Sequence, residues 1–149
     1  MGKRYIRKQQ HIGSCGIVAA INVLKWLNYS VSYKEFTNGV NRKYLMEGMT
    51  DAELSGLLTC YGLKYRKYNS FTVEKMEGFL DQDKAIILSY YLYPENEGHF
   101  TFITDHTKHL FEIHNARDSH KKKSKIRQFL KQSKKENNTD IGIWVFKNE

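Results

Sequence analysis

The sequence predicts an α+β protein, helical in its first half and stranded in its second. Three observations carry this. Helix-capping residues recur before residue 80, a near-continuous apolar run begins at Ala85, and strand-like segments of alternating polarity follow to the end. The 149 residues suit one domain over 1–149, long enough to bury a core without disulfide staples. At 40% hydrophobic and 13% aromatic, with a single proline, the composition is globular rather than disordered.

Ser14 can cap a first helix, Cys15 to Leu27, whose Ile17, Ala20, Ile21 and Leu24 recur at helical spacing. Ser32 and Glu35 have the spacing of a capping box for a second helix, expected to reach roughly Leu45. Thr50 and Glu53 repeat the signature. Leu54, Leu57, Leu58 and Tyr61 line one face of that helix, and Gly62 can end it in a left-handed turn. A short extended piece is expected at Leu63 to Tyr68, then a fourth helix carrying Val73, Met76 and Leu80.

Ala85 to Tyr91, a near-continuous apolar and aromatic run, reads as a buried strand. His99 to Thr104 alternates, Leu110 to His114 follows a turn, and Ile141 to Phe146 closes the sheet. Three or four strands on short loops imply an antiparallel sheet with the helices layered against it.

The formal charge of +8 is concentrated at Lys121, Lys122, Lys123, Lys125, Arg127, Lys131, Lys134 and Lys135, with more at Lys3, Arg4, Arg7 and Lys8. Such runs are ordinarily solvated faces. They can also steer acidic partners. Ile126, Phe129 and Leu130 could seat an amphipathic helix between Ser119 and Asn138, leaving open a nucleic-acid or acidic-protein binder. No recognised nucleic-acid motif accompanies it. The basic, polar start has no apolar signal region behind it, and the first helix is too short for a bilayer. A reducing cytoplasm is therefore expected, with Cys15 and Cys60 as thiols.

Cys15 stands in the first turn of its helix, where unsatisfied N–H groups and the helix dipole favour an anion and should lower the thiol pKa. A thiolate nucleophile needs a base, and the base an orienting group. His99, at a strand start after a glycine, suits the base. Asn115, just past the next strand, can hold the imidazole tautomer, and Asp118 is the other candidate for that role. Gln9 can donate to an oxyanion beside the Cys15 backbone N–H. His114 should face away from Asn115 and is not expected to be the base. The histidines and cysteines show no metal-ligand spacing, and this chemistry calls for no metal or cofactor.

The segment Gln9-Gln-His-Ile-Gly-Ser-Cys15-Gly-Ile-Val-Ala-Ala resembles the Gln-x5-Cys-Gly-x-x-Ala signature of the double-glycine, bacteriocin-processing cysteine peptidases. Gly98-His-Phe-Thr-Phe-Ile is similar to their catalytic-histidine strand. Phe111-Glu-Ile-His-Asn115 falls where they place a strand and then an Asp. The chain departs from the pattern in Asn115 for Asp, in the missing Pro after it, and in Ser14 before the nucleophile. The resemblance implies a papain-like fold, a Cys-His-Asn triad, a thioester intermediate and hydrolysis of a peptide or isopeptide-like bond in a peptide or protein substrate. It implies a free-standing form without a transporter. The same chemistry serves acyltransferases and transglutaminase-like enzymes, so acyl transfer is the alternative outcome. A module that binds peptide without turnover is another.

Overall fold

The computed structural model describes residue 5 and residues 15–92, 97–114, 120–136 and 141–148. It comprises α1 (Cys15–Trp26), α2 (Tyr33–Thr37), α3 (Arg42–Met46), α4 (Asp51–Cys60), β1 (Arg66–Tyr68) and α5 (Val73–Asp81). Then come β2 (Lys84–Leu92), β3 (Glu97–His106), β4 (Leu110–His114), β5 (His120–Lys122), α6 (Lys123–Lys135) and β6 (Gly142–Lys147). The strands form one antiparallel sheet in the order β1-β6-β2-β3-β4-β5.

Six described strands exceed the three or four expected. The extended piece expected at Leu63 to Tyr68 joins the sheet as β1 over Arg66-Lys-Tyr68, and His120-Lys-Lys122 is the unanticipated strand; both are three-residue edge pieces that exist through pairing with β6 and β4. The second expected helix is also two. Ser32 accepts from the Glu35 N–H as anticipated, but α2 stops at Thr37. Asn41 then caps α3 by accepting from the Lys43 N–H, so Asn38-Gly39-Val40 breaks the helix. The Thr50–Glu53 capping box forms in both directions. At the other end of α4 the Leu63 N–H bonds to the Leu58 carbonyl and the Gly62 N–H to that of Thr59, with Gly62 at φ +72°. This closure needs the left-handed backbone that glycine adopts without strain.

The sheet carries helices on both faces. Ala85, Ile87, Phe100, Phe102, Trp144 and Phe146 meet α1, α2 and α4 on one side. Ile86, Leu88, Tyr90, Ile103, Phe111, Ile113, Ile143 and Val145 meet α5 and α6 on the other. Double cover is why Ala85 to Leu88 are all fully buried and why that stretch reads as an apolar run rather than an alternation. α1 lies in the middle of the first side: Gly16 to Leu24 are buried all round, rather than along the single stripe its spacing suggested. In the same core Trp144 is fully buried and donates from Nε1 to Ser55 Oγ of α4 at 2.9 Å.

Cys60, in the last turn of α4, is exposed. One residue differs from expectation: Lys123, read as part of a solvated basic run, is 2% exposed. Its ammonium pairs with Glu77 and the Thr107 carbonyl and lies 2.9 Å from His106 Nδ1, joining α6 to α5 and β3. A buried charge is tolerated only when partnered in this way.

Candidate active site

Among the described residues the site is built from one end of α1 and the adjoining ends of β2 and β3. Cys15 is the first residue of α1, half-buried and packed against the α1-side core. Behind it, Gly16 is wedged between Met49 and Phe100. A Cβ placed there would lie 3.1 Å from Met49 Sδ and 3.2 Å from Phe100 Cδ2. A larger residue would push the helix start off β3, so the close approach accounts for glycine directly after the cysteine. Phe100 in turn directly follows His99. The tight contact between residues 16 and 100 is thus flanked, one residue earlier on each chain, by Cys15 and His99.

Alternation along β3 turns His99 toward the α5–α6 side, with Ile103 and opposite in sense to Phe100. Its cross-strand partner is Tyr90, and the two rings meet edge to face at 5.5 Å. Tyr90 thus packs on His99 and lies within electrostatic reach of Cys15. Burial chiefly, and then the charge of Cys15, push its hydroxyl pKa well above the ordinary value. Phe129 of α6 stacks on Tyr90 at 5.5 Å, and the Lys121 ammonium from β5 lies 5.0 Å from the Tyr90 ring and 5.6 Å from that of Phe129.

The surroundings of His99 disfavour its charged form. Burial first, and the Lys121 ammonium second, hold its pKa down at about 4. The imidazole is therefore neutral at physiological pH, the form that accepts a proton. His114, by contrast, is committed elsewhere. It is buried on the α1 side, with Nε2 2.8 Å from Thr104 Oγ1 and its ring against Tyr5. Gln9, Asn115 and Asp118, and the expected cap Ser14, lie outside the described residues.

Tyr90, Phe129, Met49 and Lys121 had not been singled out as site residues by the sequence. Tyr90 could have been found by pairing β2 with β3, since a hairpin register fixes which residue faces His99. The positions of Lys121 and Phe129 depend on β5 and α6 folding back over that hairpin, for which the sequence offers no local signal.

Cys15 and Cys60 make an internal comparison. Accessibility alone favours Cys60, which is exposed, over the half-buried Cys15. Only Cys15 has a helix N-terminus to stabilise a thiolate. At pH 6 to 7 limiting iodoacetamide is expected to alkylate Cys15 first, as read by peptide mass spectrometry over time. Faster labelling of Cys60 would show that Cys15 is not activated.

The Peptidase C39 family model matches residues 3–135. No curated protein sequence matches the chain. Solved structures share its fold, two of them over nearly the whole chain. A C39-like peptidase from Bacillus anthracis superposes with a TM-score of 0.69 at 10% identity, over 97% of this chain and 94% of that one. The peptidase domain of Streptococcus ComA, a bi-functional ABC transporter involved in a quorum-sensing pathway, gives 0.67 at 12% identity, over 96% and 98%. With the helix-borne cysteine beside the histidine strand and a family match across most of its length, the chain belongs to the Peptidase C39 family of cysteine peptidases.

Proposed function

We propose that Cys15 and His99 are the nucleophile and general base of a peptidase acting on peptide bonds in the cytoplasm, within a single domain. Asn115 orients the imidazole, and Gln9 and the Cys15 backbone N–H bind the oxyanion. The observation that supports this most is the contact of Gly16 with Phe100, because it holds the first turn of α1 against β3 at the level of His99. Since His99 turns to the Tyr90 side, its ring must reach the sulfur around the end of β3 rather than through the sheet.

The depressed pKa of His99 bears on the order of events. A resting thiolate–imidazolium pair is disfavoured by burial and by Lys121, so transfer of the Cys15 proton to His99 accompanies attack on the acyl carbon. The tetrahedral oxyanion then collapses. His99 returns the proton to the leaving amine, and an acyl thioester remains on Cys15. Water, deprotonated by His99, attacks the thioester and releases the acid and the free thiol.

Incubating the protein with a proteome-derived peptide library and mapping new termini by mass spectrometry tests this reading. New termini that vanish in Cys15→Ala support it, and an identical pattern in the two samples refutes it.

The pH profile offers a further test. Activity requires a neutral imidazole, so kcat/KM should fall only as pH drops through the folded-state value near 4, rather than through the ordinary histidine value near 6.5. The limb belongs to the thiol–imidazole pair as a unit. A low-pH limb at 6 to 7 would mean that His99 is more solvated than its packing against Tyr90 indicates.

A further inference from the structure

We infer that Lys121, held by Tyr90 and Phe129, selects substrates with an acidic side chain next to the scissile bond. This rests on the peptidase reading above and assigns its substrate class. The half-buried Lys121 reaches from edge strand β5 over the ring of Tyr90 and beside that of Phe129. Two aromatic faces attract an ammonium electrostatically and restrict its rotamers, so the cation is presented in one place. That place adjoins the chemistry. Tyr90 touches His99 edge-on, its hydroxyl senses the charge of Cys15, and His99 senses the charge of Lys121.

A positive charge there opposes the step in which His99 becomes imidazolium. A carboxylate docked on Lys121 offsets that opposition by neutralising the ammonium. An acidic substrate is then favoured twice. The ion pair contributes to binding, and relief of repulsion on His99 stabilises the transition state, where the imidazolium forms. Specificity should accordingly appear in kcat as well as in KM. A simple surface charge would change association rate and KM alone.

The test uses the full chain and the same peptide library, with wild type and Lys121→Met compared. Wild type should enrich Asp and Glu within two residues of the cleaved bond, and Lys121→Met should lose the enrichment. For one cleaved peptide and its Glu→Gln counterpart, the wild-type kcat/KM ratio should be roughly 10 to 100, about 1.4 to 2.7 kcal/mol, with part of it in kcat. In Lys121→Met the ratio should fall to about 3 or less, while turnover of the Gln peptide rises above wild type. Lys121→Arg should keep most of the preference, which loss of folding would not. Cleavage without acidic enrichment, or an enrichment that survives Lys121→Met, overturns the inference while leaving the peptidase reading intact. Absence of Cys15-dependent cleavage in wild type overturns both.

Discussion

Cys15→Ala is expected to reduce peptide cleavage by at least about 10⁴-fold, and His99→Ala by a comparable factor. On the proposed mechanism each removes one half of the unit that makes, and then breaks, a thioester. The loss corresponds to more than about 5 kcal/mol of transition-state stabilisation. The double variant should be no worse than either single one, because a nucleophile without its base and a base without its nucleophile leave the same residual rate. Structural damage can be separated from chemical loss. Cys15 is half-buried at the open end of α1, so replacing its sulfur by hydrogen removes little packing, and the melting temperature should barely move. Gly16→Val makes the complementary case. Its side chain would collide with Met49 Sδ and the Phe100 ring, so it should lower activity by displacing the nucleophile although no reacting group is lost. Full activity in Cys15→Ala would remove Cys15 from the mechanism. Cys60, the only other thiol, would then be examined by the same substitution.

What was legible in the sequence was whatever is decided locally. The Thr50–Glu53 box, the left-handed Gly62 and the buried Val73, Met76 and Leu80 of α5 depend on residues within a turn or two of one another. Cys60 was legible in principle. It lies two residues past the buried Leu58, about 200° around the helix, which turns it away from the core. Of the edge strands, Arg66-Lys-Tyr68 lay within the extended piece expected at Leu63 to Tyr68, whereas His120-Lys-Lys122 was not legible: it has neither alternation nor length, and acquires strand geometry from its partner. The same limit governs the site. Cys15 and His99 stood out through local features, a helix start and a glycine before a strand. The Tyr90–Phe129–Lys121 group is assembled from β2, α6 and β5, and even the face on which His99 lies follows from register. Lys123 shows how misleading composition can be: within one run of lysines, the structure buries it and presses Lys121 against aromatic rings.

Asn115→Ala is expected to lower turnover by one to two orders of magnitude, roughly 1.4 to 3 kcal/mol, and Asp118→Ala by much less. Both positions lie outside the described residues, so the ranking rests on the strands that flank them. β4 pairs directly with β3, setting His114 opposite Phe102, whereas among the described residues β5 pairs with β4 alone. The chain must therefore reverse between His114 and His120. In sequence Asn115 directly follows β4, the strand paired with β3, whereas Asp118 directly precedes β5, the strand one place further out. From β4, an orienting side chain needs only the diagonal cross-strand reach, roughly 7 to 8 Å between Cα atoms, to approach the imidazole. An amide suffices chemically, since fixing the tautomer requires an acceptor and not a charge. An Asp in that role would also raise the His99 pKa, against the burial and the Lys121 charge that lower it. Asn115→Asp is thus informative beyond the alanine scan. It should retain activity and move the acid limb of kcat/KM upward from about 4, while Asp118→Asn leaves that limb in place. Should Asp118→Ala prove the more damaging, with unchanged melting behaviour in both variants, the orienting role passes to Asp118. The segment after β4 would then have to fold back over β3 before entering β5.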